Sequence, residues 1–278
     1  MTVSVFSGVV FLISALAGFL GALTGLGGGV VVTPVLTLML GVNIHYAMGA
    51  SLVSVIATSS GAAAAYVKEG FSNVRAGMLL EIATTAGAVV GAHLVSVVPV
   101  PALAIVFAAV LLYSAWHSLT EHAANGDHPA DPLAERLHLN GSYPDPTGAR
   151  SYTVTHVKAG FGLMTIAGLL SGLLGIGSGA MKVVAMDQVM KIPFKVSTTT
   201  SNFMIGVTAA ASAGIYLRHG YITPGLAMPV MLGVLGGSLV GARQLSGANV
   251  RVLRRLFAVV IAVMAIEMAY SGLTGGMR

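Results

Sequence analysis

Long apolar segments, separated by short polar breaks, follow one another along most of this 278-residue chain. Crossing a hydrocarbon core of about 30 Å takes about 20 helical residues, and most of the segments are close to that length. The pattern therefore predicts an all-α polytopic membrane protein with about 8–10 helical segments. The segments are residues 5–24, 30–41, 46–67, 74–97 and 99–119, and then 157–174, 180–191, 196–217, 223–245 and 250–271.

One long polar interval, residues 120–155, separates five segments from the other five. It contains five of the nine acidic residues and four of the ten prolines, a composition that hydrocarbon does not accept. Asn140-Gly141 is a turn signal and residues 152–155 alternate with the period of a strand, so the interval has the pattern of a small β-hairpin. The predicted domains are a first membrane repeat (1–119), an aqueous linker (120–155) and a second membrane repeat (156–278).

The second half aligns with the first, without a gap, at an offset of 150 positions. The offset holds over roughly 70 residues and keeps glycines, hydroxyl residues and a tyrosine in register. Matching pairs include Gly25 with Gly175, Gly27 with Gly177, Gly29 with Gly179, Ser51 with Ser201, Thr58 with Thr208 and Tyr66 with Tyr216. One structural unit has been duplicated, as in many secondary transporters.

The basic residues discriminate between two membrane topologies. If the first two segments of each half return the chain to its entry side, the repeats are inverted, and eleven of the 14 basic residues share one face. These eleven are Lys68, Arg75, Arg136, Arg150, Lys158, Lys191, Lys195, Arg243, Arg251, Arg254 and Arg255. Arg218 and Arg278 then lie on the opposite face. With parallel repeats the same charges would divide nearly equally. The positive-inside rule favours inverted repeats, with both termini outside and the linker in the cytoplasm. Whether the first helix of each repeat spans fully or is re-entrant stays open.

Composition excludes several classes of function. Hydrophobic residues make up 55% of the chain and charged residues only 8%, too few to cover a soluble enzyme. The net charge of +5 is scattered and does not form the basic stripe of a nucleic-acid binder. The chain has no cysteine, and its histidines lack ligand spacing, so we expect no cofactor and no metal. The expected partners are a small anion and the lipid bilayer; the oligomeric state is open.

The second segment of each half is too short to span comfortably and follows a glycine loop. Free N–H groups and the helix dipole at such a loop attract anions, and inverted repeats would bring both loops toward the midplane. Close helix packing through small residues is the alternative explanation. The candidate substrate contacts in the two loops are Gly25, Gly27, Gly28, Gly29, Gly177, Ser178 and Gly179.

Four polar side chains near these loops are further candidates for the substrate site. Lys182 is the basic residue that falls on neither aqueous face, and an ammonium at that depth suggests anion coordination. The alternatives for Lys182 are snorkelling to an interface or pairing with Asp187. Ser51, Ser201 and Asn202 begin the next helix of each half, where they could bind an oxyanion or simply bond to helix carbonyls.

Glu81 is a candidate for proton coupling, because a carboxylate inside an apolar segment suggests a proton pathway. An ion pair with Arg75 near the cytoplasmic face is the alternative. An enzyme would need a paired acid and base or a metal constellation, and the sequence shows neither, so we expect no enzymatic activity.

Together these motifs resemble the sulfite exporter TauE/SafE family of membrane transporters. The resemblance is carried by the sequences at 25–29 with Pro34, at 49–52, at Tyr66 and Gly70, at 175–179 and at 200–204. Ser178 departs from the family, which often has glycine there, and Ala50 stands where threonine is common. The resemblance implies transport of a sulfur-containing anion, such as sulfite or a sulfonate, across the bacterial cytoplasmic membrane. We therefore expect a secondary transporter working by alternating access, with proton coupling as a further hypothesis. An uncoupled anion channel of the same fold is the alternative.

Overall fold

The computed structural model describes residues 3–24, 28–68, 72–119, 131–145, 148–244 and 250–274. Within them the chain forms helices and one small hairpin. The elements of the first half are α1 (Val3–Thr24), α2 (Gly29–Leu38), α3 (Ile44–Lys68), α4 (Val74–Leu94) and α5 (Val100–Leu119). The linker contributes α6 (Pro132–Arg136), β1 (Gly141–Asp145) and β2 (Gly148–Tyr152). The second half contains α7 (Val157–Leu174), α8 (Gly179–Val184), a π-helical turn (Ala185–Val189), α9 (Phe194–Arg218), α10 (Pro224–Gln244) and α11 (Val250–Thr274).

The mostly helical membrane fold expected from the apolar pattern is confirmed. Among the residues that the structure describes, three helical stretches are long and apolar enough to cross a membrane: Val74–Leu94, Val157–Leu174 and Pro224–Gly241. Shorter apolar stretches occur in α1, α2, α5 and α11. Large apolar side chains such as Leu16, Ile82 and Ile266 point outward, as expected when lipid is the surrounding solvent.

The second helix of each half is short, as its segment length predicted. Helix α2 has 10 residues, and α8 has 6 before it continues into the π-helical turn. At 1.5 Å per residue, α2 is about 15 Å long, roughly half the thickness of a hydrocarbon core. Helix α8 begins at Gly179, after a described turn that follows the end of α7 at Leu174, and α2 begins at Gly29, after α1 ends at Thr24.

Helix packing is the same when the two halves are exchanged. Helix α1 packs on α10, and α7 packs on α4. Helices α1 and α7 are matching helices of the two halves, and so are α4 and α10. The other large contacts join α5 to α11, α3 to α9, α3 to α10 and α4 to α9. Every major contact therefore maps onto itself or onto another under the exchange. The two halves pack mainly against each other, so neither is an independent helical layer.

Helices α3 and α9 match in sequence but run antiparallel. The start of α3 lies beside the end of α9, where Tyr216 Oη is 3.5 Å from Met48 Sδ. Near the middle, Ser59 Oγ accepts a hydrogen bond from Gly206 N at 3.0 Å. Beyond the end of α3, Asn73 N donates to Thr200 Oγ1, near the start of α9, at 3.0 Å. The bundle thus has a linker end, at Asn73 and Thr200, and a far end, at Met48 and Tyr216.

Glycines bring α4 and α7 close together. A Cβ added at Gly87, Gly168 or Gly172 would overlap the backbone of the facing helix. Helices α1 and α10 make the same kind of contact through Gly18, which faces Val234. In a membrane no hydrophobic driving force brings helices together, so close packing through small residues becomes an important part of their association. These glycines, which lie within helices and outside the two glycine loops, therefore serve close helix packing.

The described part of the linker, residues 131–145 and 148–155, packs against the linker end of the bundle through contacts with Asn73. Strands β1 and β2 pair antiparallel, with Gly141 opposite Tyr152 and Asp145 opposite Gly148. The Asn-Gly signal had indicated a turn at residues 140 and 141, and this prediction was wrong. Gly141 belongs to β1, and Asn140 Oδ1 instead accepts a hydrogen bond from Val154 N at 2.8 Å.

Candidate functional site

Lys182 and Glu81 form a buried ion pair between the two halves of the chain. Lys182, on α8, is completely buried, and its Nζ lies 3.6 Å from Glu81 Oε2 on α4. Thr208, on α9, bridges the two charges: its Oγ1 accepts from Lys182 Nζ at 2.5 Å and donates to Glu81 Oε1 at 2.6 Å. Three helices therefore meet at one polar cluster inside a largely apolar bundle.

Two more hydroxyls complete the shell around the carboxylate. Thr84 donates to Glu81 Oε2 and Thr85 to Oε1, each at 3.0 Å. They follow Glu81 by three and four residues, a spacing that puts all three side chains on one face of α4. Charges 3.6 Å apart attract by about 5 kcal/mol at an effective dielectric of about 20. Burying an ion costs several kcal/mol, so the attraction between the two charges roughly balances the cost of removing them from water.

The second glycine loop reaches the start of α2 and the middle of α3. A Cβ built on Gly29 would lie 3.7 Å from Ile176 O, and one built on Gly177 would contact Val55 and Ile205. Val55 and Ile205 are matching positions near the centres of α3 and α9. The described part of the first loop is Gly28, which packs beside Gly18 and Val234, together with Gly29. Gly25 and Gly27 lie outside the described residues.

Ser178 is held in an unusual state inside the second loop. Its φ of 45° is left-handed, a conformation costly for a residue other than glycine. The residue is 2% exposed, and its hydroxyl has no hydrogen-bond partner among the described residues. A buried unsatisfied hydroxyl costs about 1–3 kcal/mol. The loop thus presents a polar group that a ligand could satisfy.

Ser51 and Ser201 use their hydroxyls within the protein. Ser51 Oγ donates to Gly29 O at 3.0 Å, and Ser201 Oγ donates to Gly179 O at 3.1 Å. Both bonds fasten the start of a short helix to the long helix that follows it. Asn202 is half-buried, and its backbone carbonyl accepts a hydrogen bond from Ser59 Oγ on α3.

Both charged residues were predicted from the sequence as site residues, but their pairing was not. From the sequence, Asp187 was considered as the partner of Lys182 and Arg75 as the partner of Glu81. The structure instead pairs Lys182 with Glu81. Arg75 is exposed. Thr208, Thr84 and Thr85 were missed as site residues. The spacing of Thr84 and Thr85 from Glu81 was the available signal, whereas the contacts of Thr208 with Lys182 and Glu81 are tertiary.

No group of three or more histidine, aspartate or glutamate side chains with the arrangement of a metal site occurs in the part of the chain that the structure describes. The polar cluster contains one carboxylate, one ammonium and three hydroxyls.

Comparison with known proteins gives a consistent assignment. The family model for the sulfite exporter TauE/SafE matches residues 10–268. The probable membrane transporter protein YunE of Bacillus subtilis is 23% identical over 273 residues, 95% of this chain and 98% of YunE. The probable membrane transporter protein YdhB of Bacillus subtilis is 29% identical over 236 residues, 84% of this chain and 87% of YdhB. A probable membrane transporter protein of Xylella fastidiosa is 24% identical over 255 residues, covering 90% of each chain. No solved structure is significantly similar to this chain.

Proposed function

Because the chain belongs to the sulfite exporter TauE/SafE family, we propose that it is a secondary transporter of a small sulfur-containing anion. The substrate is sulfite, a sulfonate or a related organic anion, and the membrane is the bacterial cytoplasmic membrane. The observation that carries the proposal is the completely buried ammonium of Lys182 beside the second glycine loop. Burying a lysine inside a membrane is energetically unfavourable, and binding of an anionic substrate would explain why a lysine is present there.

The proposed substrate site lies between the two glycine loops and extends to Lys182. The close approach of Gly29 to Ile176, and of Gly177 to Val55, supports a shared site at the centre of the bundle. The Ser178 hydroxyl, which has no hydrogen-bond partner in the described part of the chain, supports it independently. The proposed contacts are the loop backbone at Gly25, Gly27, Gly28, Gly29, Gly177, Ser178 and Gly179, together with Lys182, Ser51, Ser201 and Asn202. In the conformation described, Ser51 and Ser201 hold the short helices, so they would reach substrate only after the helices move.

We propose that the two halves are inverted repeats and that alternating access comes from their relative movement. Matching helices α3 and α9 run in opposite directions, which supports this relationship. The linker would then be cytoplasmic and both termini outside. The chain contains no cysteine, so single cysteines report sidedness directly. Ala149→Cys in the exposed linker should react with an impermeant maleimide only from inside, and His219→Cys, at the far end, only from outside.

Transport of labelled sulfite and labelled methanesulfonate in proteoliposomes, with and without a pH gradient, tests the function. Accumulation of either anion against its gradient, driven by pH, is the expected result for a proton-coupled transporter that uses Glu81. Downhill equilibration without accumulation under any ion gradient would favour an uncoupled anion channel of the same fold. Unchanged uptake in Lys182→Ala would remove that lysine from the site.

A further inference from the structure

The Glu81 carboxylate occupies the position that a substrate anion would take beside Lys182. Its Oε2 lies 3.6 Å from the ammonium, and its Oε1 shares the Thr208 hydroxyl with that ammonium. We propose that Glu81 is an internal competitor for Lys182: a substrate anion binds only when Glu81 takes up a proton. Thr208 is the positioning residue that holds the two charges in register. This inference rests on the proposed function and specifies how its coupling works.

Charge balance at the site fixes the stoichiometry. Without substrate, the carboxylate of Glu81 neutralises the ammonium of Lys182. With substrate, the anion neutralises the ammonium, and Glu81 must be neutral because a second anion in the same buried cluster is strongly disfavoured. The loaded site therefore holds one more proton and one more anion than the empty site. One proton and one anion move in the same direction, and the step is electroneutral for a monovalent anion.

The charged pair of the cluster is not repeated at the matching positions of the two halves. At the offset of 150 positions, Lys182 corresponds to Val32 and Glu81 to Met231, whereas Thr208 has a counterpart in Thr58. Thr58 Oγ1 bonds to the carbonyls of Ser54 and Val55 within its own helix. The matching position thus supplies an internal control: a buried threonine that, among the described residues, bonds to carbonyls of its own helix and to no charged side chain.

The helices packed against the cluster also contain titratable groups at other positions. Asp187 follows Lys182 by five residues, and Arg75 precedes Glu81 by six, about 9 Å along a helix. The other titratable groups on these elements are His93 on α4, Tyr113 and His117 on α5, Lys158 on α7, and Lys195, Tyr216 and Arg218 on α9. Lys182 is the charged group that the structure pairs with Glu81. Protonation of Glu81 therefore changes the charge facing Lys182 directly.

The linkage between proton and anion predicts a defined pH dependence. Because the loaded site binds one extra proton, apparent affinity should weaken by up to about tenfold for each unit by which the pH rises. Glu81→Gln mimics the neutral acid, so its affinity should not change with pH. Thr208→Val removes the shortest hydrogen bond to the ionised carboxylate, so its affinity should begin to fall at a higher pH. Thr208→Ser should restore the wild-type profile, and Thr58→Val should leave it unchanged.

The experiment is uptake of labelled sulfite and of labelled methanesulfonate into proteoliposomes across a pH series, with a trapped pH dye. Methanesulfonate is preferred where it is transported, because its own charge does not change with pH. The expected wild-type result is one proton entering with each methanesulfonate. If sulfite alone is transported, the same count is expected for hydrogensulfite at acidic internal pH, where hydrogensulfite does not release its own proton to the dye. A wild type that transports neither anion contradicts the proposed function and this inference together. Transport without proton movement, or a Glu81→Gln variant that keeps the wild-type pH dependence, overturns this inference alone. The dye measurement on wild type decides the matter even if a variant fails to fold.

Discussion

Ser51 and Ser201, 150 positions apart, make the same hydrogen bond in the two halves of the chain. Ser51 Oγ donates to Gly29 O at 3.0 Å, and Ser201 Oγ to Gly179 O at 3.1 Å. Both serines are completely buried. The duplication therefore preserves a specific contact between two helices in addition to residue identities. Each bond holds the first residue of a short helix beside the long helix that follows.

Replacing either serine by alanine should loosen one short helix. We expect Ser51→Ala and Ser201→Ala each to lower the free energy of unfolding by about 1 kcal/mol, because a buried hydrogen bond is lost. Ser54→Ala is the matched control, since Ser54 bonds to Ser51 O within its own helix and fastens no second element. Chemical unfolding in detergent measures all three. An equal loss in Ser54→Ala would show that the bond between helices has no special weight.

Neutralising one member of the Lys182–Glu81 pair should cost more than neutralising both. Each of Lys182→Met and Glu81→Met leaves a buried charge without its partner, for which we expect a loss of about 3–5 kcal/mol. The double variant should recover most of that loss, because well-packed apolar residues often replace a buried ion pair without penalty. A double-mutant cycle of unfolding free energies measures the coupling. Additive single effects would contradict a direct interaction.

Helix positions could be predicted from the sequence because glycine, proline and charge mark their ends. The predicted segment 157–174 coincides with α7, Val157–Leu174. The same pattern identified the two short helices, since segment length alone separates them from spanning helices. The turn of the hairpin was misplaced because Asn140 has a tertiary role: its side chain accepts a hydrogen bond from Val154 N. A local turn signal contains no information on that contact.

The candidate site could be predicted only in part. Lys182 and Glu81 were identified singly, because any charge in an apolar segment is conspicuous. Their pairing depends on how α4 meets α8 and α9, with Glu81 and Thr208 127 positions apart in the chain. Asp187, the partner considered from the sequence, follows Lys182 by five residues, a spacing that does not put side chains on one helical face. Proximity in sequence was therefore a poor guide to the charge partner.

Gly172 and Gly162, both on α7, should respond in opposite directions to alanine. A Cβ at Gly172 would overlap the backbone at Ala88, whereas one at Gly162 meets nothing within 4 Å. We expect Gly172→Ala to lower the free energy of unfolding by about 1–3 kcal/mol through overpacking. Gly162→Ala should raise it by about 0.5–1 kcal/mol, because alanine loses less backbone entropy. Unfolding in detergent measures both. A harmless Gly172→Ala would mean that α4 and α7 are not in close contact.

Asp131 should make the junction between the linker and α7 sensitive to acid. Its two oxygens accept from Leu133 N and Val157 N, each at 2.9 Å. These hydrogen bonds lower the pKa of the Asp131 carboxyl below its ordinary value of 3.8. Because the folded value is the lower one, the stabilisation is present at neutral pH and is lost as the pH falls through that lowered value.

Amide hydrogen exchange at Leu133 and Val157 measures the contribution of Asp131. In Asp131→Asn only one oxygen remains, so we expect one of the two amides to lose protection at neutral pH while the other keeps it. Asp131→Ala should expose both amides. Glu135→Gln, at an exposed carboxylate on the same short helix α6, is the control and should change neither. Full protection of both amides in Asp131→Asn would contradict the double acceptor role.

The Asn73 side chain caps α4 and holds the linker, and these two functions can be separated. Its Oδ1 accepts from Ala76 N at 3.0 Å and caps α4, while its Nδ2 donates to Leu139 O at 2.7 Å and to Tyr152 Oη at 2.8 Å in the linker. Asn73→Asp keeps the capping oxygen but loses both donors. We therefore expect it to release the linker while α4 stays capped. Asn73→Ala should lose both functions, with a further cost of about 1 kcal/mol for the cap.

Hydrogen exchange at Ala76 and at the linker strands distinguishes the two functions of Asn73. Asn73→Asp should increase exchange in β1 and β2 only, and Asn73→Ala should increase it at Ala76 as well. Burial raises the pKa of the Tyr152 hydroxyl, so it stays protonated over the pH range of the measurement and its titration does not interfere. If linker exchange is the same in Asn73→Asp as in wild type, the linker is held by its apolar contacts through Leu139 and Tyr152, and Asn73 is only a helix cap.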